Sequence, residues 1–442
     1  MDLLNGRVRS VYFKYLAAAS GSSMVSCVYA MVDAMMVGKY HGPTGNAALA
    51  VCNPFWSIIY SLGFLAGIGG SVLFANARGR RDEREAQEYF TLSVLYGLIL
   101  SALSVGCIGI FQESLFRLFG ADDELLVLAQ RYLRPLLWTL PCCLFSNIIS
   151  AALRNDGNPG LATKAVVISG IFNVIGDYVL VFVLDLGITG AGIATGLAQV
   201  INLAIMMLHF VGKKNTIRLV MPTRALRKIW EISRNGFSTA INDLALGIIG
   251  VLFNRQIMKH LGSDALAVYG VITQVTVFAQ CVAYGAGQAA QPIVSQNFGA
   301  GRHDRVRECL KYGLYTSGVF GLILMGSMVL APEWFIHFFM KPTPSVLEIG
   351  PNILRAYGLS YILLPFNIFA TYYFQSMMRS QIAMTASVAR GAVVSGIMIL
   401  ILPMIAGADS IWFAMLVTEV IVAAYSTYHI VKCTRQENAY AG

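Results

Sequence analysis

The sequence predicts an all-α membrane protein of twelve transmembrane helices, arranged as two six-helix lobes related by a parallel internal repeat. Three observations carry this: the apolar composition, the length of the apolar runs, and the similarity of the two halves. Of 442 residues, 56% are hydrophobic and 12% charged, against the ~25% charged content of an ordinary soluble domain. So few charges cannot cover the outside of a soluble core. A soluble enzyme and a disordered chain are excluded. An outer-membrane barrel is excluded too, because the runs are continuous rather than alternating over ~10 residues.

A membrane-spanning helix needs ~20 mostly apolar residues. Twelve segments meet this, at about 12–37, 47–75, 88–112, 125–153, 161–183, 188–212, 232–257, 264–295, 309–332, 345–378, 382–405 and 409–431. Residues 1–11 are mixed in polarity and lead straight into the first span, so no cleavable signal peptide is expected. Six of the eight Cys lie inside the apolar runs, which favours helix packing over a disulfide framework.

The net charge of +9 sits mostly in alternate short loops, not in a patch for nucleic acid. Residues 76–87 hold Arg78, Arg80, Arg81 and Arg84; residues 213–234 hold Lys213, Lys214, Arg218, Arg224, Arg227, Lys228 and Arg234; residues 298–311 hold Arg302, Arg305, Arg307 and Lys311. The other loops carry one basic residue each, such as Lys39 or Lys341, and acids such as Asp122-Asp123-Glu124. Loop charge sets orientation, so both termini are expected in the cytoplasm.

The halves repeat. Ala48-Leu49-Ala50-Val51 matches Ala265-Leu266-Ala267-Val268, Gly67-x-Gly69 matches Gly285-x-Gly287, Gly79-Arg80-x-Asp82 matches Gly301-Arg302-x-Asp304, and Leu140-Pro141 matches Leu364-Pro365, at offsets of 217 to 224 residues. Six spans per half place both halves in the same orientation, a transporter signature with the substrate site between halves. Residues 1–212 are expected to form the N-lobe, 213–231 a basic linker, and 232–442 the C-lobe.

No P-loop and no H-E-x-x-H motif occurs, and the six His show no metal spacing. Catalytic activity and a cofactor are not expected; an ion gradient would have to supply the energy, with H⁺ or Na⁺ as the coupling ion. Gly187, Gly190, Gly192 and Gly196 open a membrane helix and are read as close-packing positions.

Ionisable residues inside spans are costly and by default functional. Asp33 falls near the outer end of span 1 and Asp177 about two turns from the outer end of span 5. Thr195 and Tyr132 fall about two turns into spans 6 and 4, and Asn173 shares the face of Asp177 one turn deeper. Two acids with amide and hydroxyl partners at one depth suit a cation or proton site. The second half offers Asp243 in span 7 and Glu419 in span 12. Asn254 is the repeat counterpart of Asp33. Gln274, Gln280, Gln288 and Gln291 fall within an arc of roughly 120° on span 8. Arg255 and Arg390 also lie within spans and are candidates to pair with acids.

These residues resemble the multidrug and toxic compound extrusion (MATE) family, nearest its DinF-like and MepA-like prokaryotic branches. The resemblance rests on Val32-Asp33 with Val37-Gly38 and Ala47-Ala48-Leu49-Ala50; on Asn173-x-x-x-Asp177-Tyr178 with Gly187-x-x-Gly190-Ala191-x-x-Ala194-Thr195; and on Gly285-x-Gly287-Gln288, Gln291-Pro292 and Asn297-x-Gly299-Ala300. It implies a V-shaped pair of six-helix lobes that exports small organic, often cationic, compounds in exchange for H⁺ or Na⁺. An N-lobe acid network in the DinF-like branch carries over to Asp33, Asn173, Asp177 and Thr195, with Tyr132 fitting by spacing. Another branch uses a Glu in span 7; the stretch at Ala245-Leu246 has none, and Asp243 is out of register. The expectation is a monomeric proton-coupled exporter embedded in the lipid bilayer. A lipid-linked precursor flippase of the same superfamily is the competing reading.

Overall fold

The computed structural model describes residues 2–119, 121–213, 215–340 and 342–441, with the side chains of all but Pro43, Leu246 and residues 436–441. Lys214, Lys341 and the Leu246 side chain, named above, lie outside the described residues. Among the described residues there is no strand. Among the described residues eleven helices are long and apolar enough to cross a membrane, and a bent pair, taken as one span, brings the number to twelve. They are α1 Val8–Gly42, α2 Thr44–Gly79, α3 Glu83–Leu118, α4 (Asp123–Leu137 with Leu140–Asn155), α5 Pro159–Val183, α6 Gly187–Val211, α7 Ala225–His260, α8 Ser263–Gly299, α9 His303–Leu330, α10 Pro344–Ser376, α11 Ser380–Ala406 and α12 Ala408–Arg435. Each of the twelve apolar segments of the sequence coincides with one of these.

Three details go beyond hydropathy. The chain turns from α1 into α2 at Gly42, whose φ of 66° is open to glycine without steric cost. The two parts of α4 meet at 54°, where one continuous span over 125–153 is expected from hydropathy. Pro135 lies inside the first part and removes a backbone donor from its helical ladder, and Pro141 lies at the start of the second, where a missing N–H costs no ladder bond. In the other half, α10 carries Pro351 and a tight 3₁₀ turn at Leu359–Ile362 just before Pro365. Finally, α5 ends in a π-helical turn at Tyr178–Val183 and α11 contains another at Ala389–Val393.

The helices gather into two compact units. One holds residues 2–6 and Gly21–Asp243; the other holds Arg7–Ser20 and residues 244–441. The first unit packs through glycines. A Cβ at Gly69 would stand 2.3 Å from the Ile232 carbonyl, and one at Gly236 would stand 2.1 Å from the Leu65 carbonyl. In the second unit a Cβ at Gly321 would meet the Ile362 carbonyl at 2.3 Å. Small residues let membrane helices approach backbone to backbone.

The segment after α6 is not loose. Gln87 donates to the Thr216 carbonyl at 3.0 Å and accepts from the Arg218 amide at 2.7 Å. The Val220 amide donates to Thr91 Oγ1 at 3.0 Å, and the Thr223 hydroxyl to Glu88 at 2.8 Å, where Lys228 also pairs. The hub is Asp156, whose side chain is 1% exposed. It accepts from Arg78 Nη1 at 3.0 Å, His209 Nε2 at 2.7 Å, the Thr216 amide at 3.0 Å and the Thr216 hydroxyl. Asn158 donates to His209 Nδ1 at 3.1 Å, which fits the tautomer with its proton on Nε2. Burial raises the Asp156 pKa, but the hydrogen bonds from Thr216, His209 and Arg78 outweigh it and hold the carboxyl below the usual carboxylate range.

A depressed carboxyl pKa stabilises the fold above the unfolded value, and that stability is lost as pH falls through the folded value. Asp156→Asn should therefore cost about 2 kcal/mol at pH 7, read as a lowered melting temperature and faster tryptic cleavage at Arg218. The deficit should shrink as pH falls below about 4. A deficit independent of pH would contradict this account.

Candidate functional site

Five expected site residues come together inside the first unit: Asp33 on α1, Tyr132 on α4, Asn173 and Asp177 on α5, and Thr195 on α6. All are buried; Asn173 and Asp177 are fully inaccessible and Asp33 is 9% exposed. α1 runs on to Gly42, past the expected end at residue 37. Asp33, Tyr132, Asp177 and Thr195 consequently lie six to nine residues from the same-side ends of their helices, or roughly 9–14 Å along the axis.

Close helix packing sets the geometry. A Cβ at Gly192 would stand 2.4 Å from the Tyr132 carbonyl, and one at Gly176 would stand 3.2 Å from the Ala194 side chain. These glycines bring α6 against α4 and α5, and so bring Thr195 to Tyr132 and Asn173. Gly190 and Gly196 are similarly tight against Leu180 and Thr139, in keeping with their reading as packing positions. The π turn starts directly after Asp177, with the Leu184 amide reaching back to the Val179 carbonyl at 2.8 Å. Such turns recur at functional sites, where they reset the helix register.

The polar network is incomplete. Tyr132 donates its hydroxyl proton to Asp33 Oδ2 at 3.2 Å, and Asn173 Nδ2 donates to Thr195 Oγ1 at 3.3 Å. Asp33 Oδ1, Asn173 Oδ1 and both oxygens of Asp177 are buried without a hydrogen-bond partner. Asp33 is close enough to act electrostatically on Asp177. Among the described residues, neither acid forms an ion pair. Buried polar atoms are ordinarily satisfied, and a buried ionised carboxylate without a partner is very unfavourable. The site therefore holds two buried carboxyl groups with no cationic side chain paired to them among the described residues.

A cavity of about 90 Å³ adjoins it, lined by Tyr29, Tyr60, Asn147, Asn173, Thr195, Gln199 and Asn202 among others, and by no Lys or Arg. That is room for ~3 waters. Sequence reasoning missed Tyr29, Tyr60, Asn147, Gln199 and Asn202. A signal was present, since Thr195, Gln199 and Asn202 follow the helical i, i+4, i+7 spacing, as do Cys143, Asn147 and Ser150. Carboxylate, amide and hydroxyl oxygens can hold a proton or a small hard cation. Among the described residues no group of three or more His, Cys, Asp or Glu suits a bound metal ion.

The second-half candidates do not form one site. Asn254 and Gln274 are exposed, whereas Gln280, Gln288 and Gln291 are buried. Both amide atoms of Gln291 lack a partner. Asp243 is partly buried and closes the first unit instead of joining the second. Arg255 is exposed, and Glu419 is fully buried in an ion pair with Arg390 at 2.8 Å.

A family model described as MatE matches twice, over residues 18–179 and 247–402, once in each half. The multidrug export protein MepA of Staphylococcus saprophyticus is 22% identical over 405 residues, covering 91% of this chain and 88% of that protein. The protein of that name from Staphylococcus aureus is 21% identical with the same coverage. A structure described as the outward-facing conformation of a multidrug resistance MATE family transporter of the MOP superfamily is similar with a TM-score of 0.90, at 20% identity over 98% of each chain. A MOP superfamily transporter from Pyrococcus furiosus also gives 0.90, at 21% identity over 100% of this chain and 98% of the other.

Site assembly by glycine packing is testable with one substitution at two positions. Gly192→Ala should lower stability by about 1–3 kcal/mol through overpacking against Tyr132, read as a fall in melting temperature. Gly109→Ala on α3, where a Cβ meets nothing within 4 Å, should hold or raise it. Equal effects would contradict the account.

Proposed function

The chain belongs to the MatE family of membrane transporters, and on that premise we propose that it is a secondary antiporter exporting small organic compounds in exchange for protons. The observation that carries this reading is the buried pair Asp33 and Asp177 with no cationic side chain of its own. The relatives named as multidrug exporters support a broad, amphipathic substrate class. Both termini lie in the cytoplasm and the protein works as a monomer in the cytoplasmic membrane.

A proton does two things at this site. It removes one charge from a pair of buried acids, and it turns a carboxyl into a donor that can satisfy an orphaned oxygen such as Asn173 Oδ1. Protonation of Asp33 alters its bond with Tyr132 and so the contact between α1 and α4. The first turns of α1 belong to the second compact unit, which suits this helix to couple local charge to a larger rearrangement. Exchange requires only that proton and substrate favour different states of the transporter. A flippase reading finds less support, because the cavity of the first unit offers no Lys or Arg to hold a phosphate.

Purified protein in liposomes should expel a fluorescent organic cation under a pH gradient alone and not under a Na⁺ gradient alone. Asp33→Asn should insert and fold but lose coupled transport by ~5–150-fold, as expected for a coupling free energy of ~1–3 kcal/mol. Transport driven only by Na⁺ would reject the proton, and full coupling in Asp33→Asn would reject the site.

A further inference from the structure

In each half a polar bond joins the fifth helix to the sixth, with different chemistry. In the first, Asn173 of α5 donates to Thr195 of α6, a neutral bond. In the second, Arg390 Nε of α11 donates to Glu419 Oε1 of α12 at 2.8 Å. The helix starts are 221 residues apart in both cases, Pro159 to Ser380 and Gly187 to Ala408, so Arg390 falls four residues before the counterpart of Asn173 and Glu419 three residues after that of Thr195. Each arrangement also adjoins a π turn, Tyr178–Val183 in one and Ala389–Val393 in the other.

The charge accounting differs as much as the bonding. Glu419 is fully buried, Arg390 is 6% exposed and Asn367 is 1% exposed. Both carboxylate oxygens of Glu419 are satisfied, Oε1 by Arg390 and Oε2 by Asn367 Nδ2 at 2.6 Å; the same amide reaches the Glu419 carbonyl at 2.9 Å. Asp177, by contrast, has neither oxygen satisfied. The first unit presents acids without a cation, and the second presents an acid whose cation is tethered to the chain. Removing either partner of such a pair leaves an uncompensated buried charge, so it stays closed.

We propose that the Arg390 guanidinium is a built-in cation where the fifth and sixth helices of the second half meet, so that Glu419 and Asn367 form a latent cation site closed to exchange. Its occupant once the guanidinium is removed is a small monovalent cation, best a free guanidinium. The comparison with an exchanging site rests on the proposed function; the latent site itself does not.

The test uses the full chain in nanodiscs and reads melting temperature with and without millimolar methylguanidinium. Arg390→Ala should lose several degrees and recover them saturably with methylguanidinium, while wild type does not respond. Arg390→Met with Glu419→Gln, which removes both charges, should fold as wild type does, show no rescue, and keep the wild-type ratio of ions to substrate in liposomes. A loss that methylguanidinium leaves unchanged, a rescue that persists in the double variant, or a changed ratio in that variant would overturn the proposal. If Arg390→Ala does not fold, the double variant decides through the ratio. Wild-type transport that proved not to depend on protons would overturn the antiport reading while leaving the rescue as a separate result.

Discussion

Two carboxyl groups, Asp33 and Asp177, share a buried site in which no side chain carries a compensating positive charge. The rest of the first unit is arranged around that imbalance. Glycines at 176 and 192 bring the helices close enough for Tyr132, Asn173 and Thr195 to reach it. Those partners satisfy only part of the network, and three carboxylate oxygens remain without a donor. Ionisable groups left so within a membrane span are costly and by default functional.

The second unit shows how the same helical frame behaves when the chain supplies the cation. Glu419 meets Arg390 and Asn367, and its charge and hydrogen-bonding capacity are both met. The difference between the two units lies in which residue types stand at a few positions on these helices, not in the helical frame. The segment after α6 follows a related logic, since Asp156 gathers Arg78, His209 and Thr216 around one carboxylate and fixes a basic, polar stretch against the first unit.

The helices were legible because a bilayer imposes one dominant requirement, a long apolar run, and composition reports it directly. The break in α4 was signalled by Pro135 and Pro141 but hidden by the continuous hydropathy around them. The π turns at Tyr178–Val183 and Ala389–Val393 have no compositional mark, because they arise from how neighbouring helices accommodate an extra residue. At the site, Asp33 and Asp177 stood out because intramembrane acids are rare. Asn147, Gln199 and Asn202 did not, since neutral polar residues in spans are common. Span 8 misled in another way: four Gln on one arc suggested one polar face, yet Gln274 is exposed while Gln291 is buried. The pairing of Glu419 with Arg390 depends on how α11 and α12 rotate against each other, which one sequence does not encode locally.

On the proposed function, a proton resides on the Asp33–Asp177 pair and leaves when substrate binds. Infrared difference spectroscopy of the reconstituted protein measures this directly through the C=O stretch of protonated carboxylic acids. Substrate addition should remove a protonated-carboxyl band and produce a carboxylate band, and both changes should vanish in Asp177→Asn. A spectrum in which substrate leaves the carboxyl region unchanged, or in which the Asp177→Asn variant retains the full change, would contradict the account.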